Sequence, residues 1–418
     1  MKSRTVLLGT AVLLGSAVLI GSIVVSFASR QAPREPALQK SLGIEAYPGA
    51  RDLYAFTEAQ RAKYGFPALG VGVIHRGKIV ALGMAGERKV GSGEWATLED
   101  RFEVGSCAKS FTAMLAAMLV EEGKLRWDDR VIDILPTVKG GILPEYADVT
   151  LEQLLGHRSG LDRWMSNNKR WAAWPREHAD LDATGQRLAF ATAALRRPPK
   201  YQPGTQHYYC NDGYLIAGSM IEKASGMAFE DLARQRVFAP LKLDSAGYGP
   251  GTDKTKGELA WGHGVATREV NRIIDKLAGR GRAVKPESAE YGEPPFGSPG
   301  GFLYCSVPDL LLYVDLHARG ADASSQLLKQ ESFDRLHAPL KGQQYALGWE
   351  VEVTRNAGGQ VVERSIYHGG YSGRSRANMW FCPESGWGTV IICNSGKGDG
   401  SQMGEVFYAL LRELKIIK

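Results

Sequence analysis

The stretch GSCAKSFTAMLAAMLVEEGKL, residues 105–125, joins a serine and a lysine to an almost uncharged run of small and apolar residues. Alanines occupy one side of this run, so a helix here is predicted to be buried nearly all round. We expect the helix to run from Ser106 to about Glu122, with Gly123 as its stop. The large apolar side chains at the i, i+3, i+4, i+7 and i+8 spacing of a helix are Phe111, Met114, Leu115, Met118 and Leu119.

Ser106 and Lys109 are three residues apart and therefore neighbours on one helix face. A serine hydroxyl becomes a nucleophile when a base takes its proton, and burial lowers the pKa of a lysine until it can be that base. The alternative is a helix cap followed by a solvated lysine. A second S-x-x-K match, Ser166 to Lys169, stands in a Trp- and Asn-rich stretch without an apolar helical face, and we interpret it as a loop.

The only Y-x-N in the chain, Tyr209-Cys210-Asn211, lies between a Pro-Gly turn and a predicted helix. The Tyr209 phenol could carry a proton between the serine and a leaving group, provided that nearby cations lower its pKa. Asn211 offers a donor and an acceptor to the lysine amine and a substrate carbonyl. The alternative interpretation is a core tyrosine and a helix-capping asparagine.

A third motif, His368-Gly369-Gly370, ends a predicted strand. The two glycines would let another backbone approach closely, so a substrate could lie along this edge. The amide of Tyr371 would then be a second donor to an oxyanion, beside the helix N-terminus at Ser106. The alternative is a Gly-rich hairpin with a surface histidine.

The order of predicted elements indicates an α/β (α+β) domain over residues 49–418. A helix at residues 51–64 and a hairpin turning at Arg76-Gly77 come first, and four strands and a helix from Ser401 to Leu414 close the chain. We therefore expect an antiparallel sheet flanked by the N- and C-terminal helices, in a lobe of residues 49–127 and 341–418. Residues 128–340 are predicted to form an inserted, mostly helical lobe.

The pattern at the N-terminus predicts a membrane anchor or a signal for export. An uncharged apolar run follows two basic residues, so residues 1–28 are predicted to be either an uncleaved membrane anchor or a cleaved signal peptide. Residues 29–48, which include Pro33 and Pro36, are predicted to be a linker. We therefore expect an exported protein, membrane-anchored or periplasmic/secreted, that meets the membrane through this segment.

Composition narrows the function classes. The net charge is +6, but the basic residues are scattered without interleaved aromatics, which argues against nucleic-acid binding. The eight histidines show no H-x-H or H-x-x-x-H pair with a nearby carboxylate, so we expect no metal and no other cofactor. Of the five cysteines, Cys107 lies on the apolar side of its helix; inert packing is expected, with a redox or disulfide role as the alternative. Oligomeric state is not determined by the sequence.

These motifs, in this order, resemble the serine β-lactamase and penicillin-recognising family, in its class C β-lactamase, DD-peptidase and esterase branch. The resemblance spans roughly residues 50–415 and implies a β-lactamase/transpeptidase-like fold. It is carried by FEVGSCAKSFTAMLAAMLVEEGKLRWDD, TLEQLLGHRSGL, QPGTQHYYCNDGYLIAGSMIEKASG, PGGFLYCSVPDLLLY and HGGYSGRSRANMWFCPESGWGTVIICN.

By this resemblance, Ser106 looks like the acylated nucleophile, Lys109 like its partner and Tyr209 like the general base and acid. Gly300-Gly301 resembles a wall of the cleft, and His157 matches a structural turn. Three tryptophans of the inserted lobe either line an apolar cleft or pack in the core: Trp171, Trp174 and Trp261.

One departure from the family pattern directs the functional prediction. The β-lactamases and transpeptidases of this branch carry Lys-Thr-Gly or Lys-Ser-Gly where this chain has His368. A histidine is charged only part of the time near neutral pH. The resemblance then implies a serine hydrolase acting on a small-molecule or peptide substrate, an esterase or D-amino-acid peptidase rather than a true β-lactamase. The alternative is a membrane-tethered binding or scaffold protein on the same fold with little turnover.

Overall fold

The computed structural model describes residues 40–165, 168–249, 258–264, 282–285, 295–322 and 327–417. The predicted anchor or signal at residues 1–28 and most of the predicted linker lie outside these ranges. Within them, no helix is both long and apolar enough to cross a membrane.

A seven-stranded sheet forms the centre of the fold, in the order β1-β3-β2-β12-β11-β10-β9. Five of its six strand pairs are antiparallel, and the short β1 pairs in parallel with β3. Its strands are β1 Arg51–Asp52, β2 Ala68–His75, β3 Lys78–Gly86, β9 Glu350–Arg355, β10 Val361–Tyr371, β11 Arg376–Cys382 and β12 Trp387–Cys393. Strands from both ends of the chain therefore build one sheet.

The N-terminal hairpin turns where the sequence places it. Arg76 and Gly77 connect β2 to β3 with positive φ angles of 47° and 82°, the backbone conformation that two-residue hairpin turns require. The central strands β2 and β12 are buried along almost their whole length, which explains why they are apolar runs and not alternating patterns.

The described helices are α1 Tyr54–Tyr64, α2 Ala108–Glu121, α3 Val131–Ile134, α4 Leu151–Leu155, α5 Asn168–Glu177, α6 Ala183–Ala194, α7 Asn211–Ser225, α8 Phe229–Ala233, α9 Ala239–Leu241, α10 Val307–Arg319, α11 Gln330–Leu336 and α12 Ser401–Glu413. The second S-x-x-K match, Ser166 to Lys169, is predicted by its sequence to be a loop. This prediction is wrong for residues 168–169, because α5 begins at Asn168. Ser166 lies outside the described residues.

Helices cover both faces of the sheet. The N-terminal α1 and C-terminal α12 share a core with one face, through residues such as Val71, Ile391 and Leu410. The helix α10 packs against the other face, where Gly70 and Gly72 of β2 leave room for Val307 and Leu311. The predicted sheet flanked by the N- and C-terminal helices is confirmed, with both helices on the same face and with the parallel β1 as the one exception to its antiparallel pairing.

The helix α2 lies at the centre of the larger core, and every residue from Ala108 to Leu119 is buried. It differs from the prediction at its start, because residues Gly105–Cys107 form a 3-10 turn that leads into it. Residues 128–340 also contain short strands, which the sequence pattern did not indicate. These strands are β5 Gly247–Tyr248, β6 Gly262–Gly264, β7 Arg282–Val284 and β8 Leu303–Cys305, and the equally short β4 Phe102–Glu103 precedes them in the chain.

Candidate active site

Ser106 lies in the 3-10 turn that precedes α2, where its hydroxyl faces a cavity. Gly105 before it has a φ of 54°, and a Cβ at Gly105 would lie 2.6 Å from the backbone nitrogen of Tyr371. The end of β10 therefore presses against the turn that carries Ser106. Two backbone segments far apart in sequence meet at this serine, and glycine at position 105 permits the contact.

Lys109 is fully buried and contacts Ser106 directly. Its Nζ lies 3.1 Å from Ser106 Oγ, 2.7 Å from Asn211 Oδ1 and 2.6 Å from the carbonyl oxygen of Gly300. Burial lowers the pKa of Lys109 to about 7, because a charged ammonium loses its hydration there. The amine is therefore available in its neutral form near neutral pH.

Hydrogen-bond capacity fixes the orientation of that neutral amine. A neutral amine has two N–H donors and one lone pair, and the carbonyl oxygens of Asn211 and Gly300 only accept. Both donors of Lys109 are thus used on these oxygens, and the lone pair is left facing Ser106 Oγ. Such an amine is placed to take the serine proton.

Tyr209 reaches the same serine from the loop just before α7. Its ring lies 5.0 Å from Lys109 Nζ, and its hydroxyl shares a hydrogen bond with the Ser106 side chain. Burial raises the pKa of Tyr209, and the hydrogen bond to Ser106 opposes that rise only in part. The sequence argument required a lowered phenol pKa, and that requirement is not met, so Tyr209 is a proton donor near neutral pH.

The residue that supports Tyr209 is His157. It adopts a positive φ of 57°, its ring packs 4.2 Å from the Tyr209 ring, and its Nδ1 accepts a hydrogen bond of 3.2 Å from the Cys210 amide. Burial keeps the pKa of His157 well below its usual value. These contacts match the structural turn that the sequence resemblance implied.

His368 is buried beneath the cavity, which corrects the alternative of a surface histidine. Its Nδ1 lies 2.7 Å from the Gly369 carbonyl, and its Nε2 lies 3.0 Å from the Tyr345 hydroxyl. The carbonyl only accepts, so Nδ1 carries the proton and Tyr345 donates to Nε2. Burial, with the nearby Lys109, lowers the pKa of His368 to about 3. The expected partial charge is therefore absent, and this imidazole is neutral.

The glycines after His368 serve two purposes. A Cβ on Gly370 would overlap the carbonyl oxygen of Val104, whereas a Cβ on Gly369 would meet open space. Gly370 thus permits the contact between β10 and the Ser106 turn, while Gly369 leaves the cavity floor open. The Tyr371 amide nitrogen lies beside the same turn, and its role as a second oxyanion donor stays a prediction.

The cavity has a volume of about 500 Å³ and is lined by all the predicted site residues except Lys109, which lies behind Ser106. Sequence reasoning missed three polar residues that also line it: Glu350, Arg376 and Asn378. Each belongs to a strand whose period the sequence showed, but no motif marks them. None of the three tryptophans lines this cavity; Trp174 is buried in the core.

The remaining candidates for chemistry do not form a second site in the part of the chain that the structure describes. All five cysteines are free and buried. Cys107 contacts the His368 carbonyl at 3.3 Å, and burial raises its thiol pKa to about 12, as expected for inert packing. Among the described residues, no group of three or more His, Cys, Asp or Glu side chains is arranged so that it could hold a metal ion.

The protein has a β-lactamase/transpeptidase-like fold. The features that define it are the seven-stranded sheet with helices on both faces and the buried helix α2 that carries Lys109. The sequence model of the Beta-lactamase family matches residues 53–411, and the chain belongs to that family.

Individual relatives are distant. Penicillin-binding protein 4 of Amycolatopsis lactamdurans is 25% identical over 371 residues, which cover 85% of this chain and 88% of that protein. A D-aminopeptidase of Brucella canis is 24% identical over 82% of this chain and 59% of its own length. The solved structure of a class C beta-lactamase superposes with a TM-score of 0.67 at 20% identity, covering 85% of this chain and 94% of that one.

Proposed function

We propose that this protein is a serine hydrolase that cleaves an ester or amide bond through an acyl group on Ser106. The observation that carries the proposal is the buried Lys109, whose Nζ lies 3.1 Å from Ser106 Oγ; with both of its N–H donors on carbonyl oxygens, the neutral amine can accept the serine proton. Membership of the beta-lactamase family and relatives named as a D-aminopeptidase and an amidase support the same class.

The contacts of Ser106 with Lys109 and Tyr209 support the following acylation step. Ser106 Oγ attacks the substrate carbonyl carbon, and its proton passes to Lys109 Nζ. The oxyanion is held by the amides of Ser106 and Tyr371, at a helix N-terminus. When the bond to the leaving group breaks, the Tyr209 hydroxyl supplies the proton that this group needs, and the lysine ammonium restores the phenol.

In deacylation, Lys109 and Tyr209 act on a water molecule that replaces the leaving group. Once the leaving group has departed, this water attacks the acyl carbonyl while its proton passes to the neutral Lys109 amine, with the Tyr209 hydroxyl available to relay it; the lysine ammonium later returns this proton to Ser106 Oγ. Asn211 holds the lysine amine through its Oδ1 and offers its amide to the substrate. The acyl group then leaves with a hydroxyl from water, and Ser106 regains its proton.

The electrostatics of the cavity rank the substrates. A neutral His368 provides no fixed cation for the carboxylate of a β-lactam or of a peptide C-terminus. We therefore place small esters or lactones first, D-amino-acid peptides second and β-lactams third. We further propose that residues 1–28 export this domain, either as an anchor or as a cleaved signal.

A fluorophosphonate probe tests the serine assignment. The wild-type protein should be labelled at Ser106, and Ser106→Ala should not be labelled. Ser110→Ala is the matched control, since Ser110 lies on the same helix, hydrogen-bonds to the Cys107 carbonyl and the Tyr313 side chain, and does not line the cavity; it should label like the wild type. Equal labelling of the wild type and Ser106→Ala would overturn the assignment.

A binding or scaffold protein with little turnover is the second candidate, favoured by the neutral histidine in place of the family's lysine. A panel of short-chain aryl esters separates the two functions. Saturable hydrolysis that depends on Ser106 would exclude the scaffold function, and a soundly folded protein without any hydrolysis would support it.

A further inference from the structure

The cavity beside Ser106 contains a carboxylate that the proposed reaction does not use. Glu350 is the first residue of β9, and it lines the cavity. It pairs with Tyr367 of β10, whereas residues 368–371 pair with β11 alone. Glu350 therefore stands where the open edge of β10 begins, on the same sheet face as Tyr367.

Glu350 lies at the Tyr209 end of this cavity. The residue that connects the two is Tyr345, whose backbone forms a bridge with Glu350 and whose ring packs 6.2 Å from the Tyr209 ring. The Tyr345 hydroxyl also donates to His368, which lies between them on the open edge. Burial raises the pKa of the Tyr209 phenol, and the Glu350 charge adds to that rise. The carboxylate and the phenol therefore act on the same part of a bound substrate.

The opposite end of the cavity is cationic. Arg376 pairs with Tyr371 across the β10–β11 ladder, stacks on that ring at 4.2 Å and donates to the Gly398 carbonyl at 2.5 Å. Four residue steps along β10 separate Tyr371 from Tyr367, which is about 13 Å at about 3.3 Å per residue. Arg376 therefore does not neutralise Glu350.

Among the residues that the structure describes, no cation pairs with Glu350. Partial burial raises the pKa of Glu350, the Tyr367 hydroxyl opposes this rise, and the Glu352 charge adds to it. The Tyr367 hydroxyl donates to Glu352 at 3.0 Å, and it has one hydrogen for two carboxylates. The nearby His368 is neutral, with a pKa of about 3. A partly desolvated carboxylate in this position gains from a cation that a substrate supplies.

The proposed acylation step decides which part of a substrate meets Glu350. In that step the Tyr209 hydroxyl gives its proton to the leaving group, while the amides at Ser106 and Tyr371 hold the carbonyl oxygen. The leaving group consequently extends from the reacting carbonyl toward Tyr209. Because Glu350 lies at the Tyr209 end of the cavity, the far end of the leaving group meets its carboxylate.

The distance along the open edge sets the length of such a leaving group. The turn that carries Ser106 contacts β10 at Gly370 and Tyr371, three to four residue steps from Tyr367, or about 10–13 Å. The ammonium of an O-acyl tyramine lies about 9 Å from its ester carbonyl carbon by ordinary bond lengths. A hydrogen bond to a carboxylate adds about 3 Å, so this leaving group spans the distance.

We propose that Glu350 selects the leaving group, favouring an alcohol or amine with an ammonium group at its far end and disfavouring one with a carboxylate there. A carboxylate in that place would bring two anions together in a partly buried cavity. This inference rests on the proposed Ser106 hydrolase and names its substrate class.

The test compares three acetate esters that share one acyl group and one type of phenol. Their leaving groups are tyramine, N-acetyltyramine and 3-(4-hydroxyphenyl)propionate, whose far ends are cationic, neutral and anionic. The ratio of kcat/KM for each charged ester over the neutral ester removes general effects on catalysis. We expect the wild type to favour the cationic ester about tenfold or more and to disfavour the anionic ester. Both ratios should be near one in Glu350→Gln.

Glu352→Gln is the matched control. Glu352 lies on the same strand and accepts from Tyr367 at 3.0 Å, but it does not line the cavity, so the wild-type ratios should remain. A second control moves the amine to the acyl part, in phenyl 6-aminohexanoate and its N-acetyl form. Glu350→Gln should leave the ratio of these two esters unchanged.

The outcomes separate the two proposals. Absence of Ser106-dependent hydrolysis of all three acetates would refute the proposed hydrolase itself. Hydrolysis with wild-type ratios near one, or with ratios unchanged in Glu350→Gln, would refute only the role of Glu350. A Glu350 dependence confined to the 6-aminohexanoate esters would overturn the assignment of this end of the cavity to the leaving group.

Discussion

Replacing Lys109 by methionine is expected to change how the stability of this protein depends on pH. The folded protein holds the pKa of Lys109 at about 7 against its ordinary value of 10.5. Each tenfold change in a protonation equilibrium is about 1.4 kcal/mol, so the full displacement corresponds to about 5 kcal/mol. This free energy measures how strongly the buried site disfavours the ammonium.

The sign follows from proton counting. Between about pH 7 and 10.5 the unfolded chain binds a proton at this lysine and the folded chain does not, so stability rises with pH. As pH falls through 7, the folded amine is protonated and that stability is lost. Over the accessible window from pH 6 to pH 9, the gain is about 3 kcal/mol, from two tenfold steps of about 1.4 kcal/mol. Methionine does not titrate and removes this contribution.

The assay is urea unfolding followed by tryptophan fluorescence at pH 6, 7, 8 and 9, for the wild type and Lys109→Met. The free energy of unfolding of the wild type minus that of Lys109→Met should rise by about 3 kcal/mol from pH 6 to pH 9. The contributions of the other titrating groups cancel in this difference. Lys124→Met, at an exposed lysine just beyond α2, is the matched control. A difference that stays flat across the window would refute the lowered pKa.

The pKa of Lys109 should also appear in the pH dependence of catalysis. If neutral Lys109 takes the Ser106 proton, kcat/KM for an aryl ester rises with pH through a midpoint of about 7. Agreement between the stability and activity midpoints would assign both to one group. An activity profile that falls over this range would exclude the lysine as the base.

Three further perturbations have defined outcomes. Tyr209→Phe should lower kcat for an aryl ester by about 10²- to 10⁴-fold while leaving far-UV circular dichroism unchanged; full activity would remove Tyr209 from the mechanism. Gly370→Ala should destabilise the protein by about 1–3 kcal/mol because its Cβ overlaps the Val104 carbonyl, whereas Gly369→Ala, facing open space, should leave Tm nearly unchanged; equal Tm values would contradict this packing. Tyr345→Phe leaves the buried Nε2 of His368 without its donor and should cost about 1–3 kcal/mol in urea unfolding; an unchanged midpoint would show that another group satisfies His368.

The sequence predicts those helices and strands whose apolar residues recur with a clear period, because that period reflects burial of one or both faces. The helical run after Ser106, the Arg76-Gly77 hairpin and the four late strands all have such periods. The division into lobes at residues 127/128 and 340/341 stays a prediction. Short strands within residues 128–340 escaped notice because two or three residues carry no period.

The candidate site divides in the same way. Spacing alone brings Ser106 and Lys109 together, because a helix places i and i+3 on one face. Only the tertiary structure decides that Tyr209 and the end of β10 meet them, since these contacts span more than a hundred residues.

The sequence by itself therefore determined the order of the motifs, the helix that joins serine to lysine, and the strands that form the sheet, because these depend on local periodicity. Folding decided the charges: it enclosed Lys109 and His368, so that the amine titrates near pH 7 and the imidazole is neutral. The reason is physical, since a pKa depends on desolvation and on neighbouring charges, and both are set by residues distant along the chain.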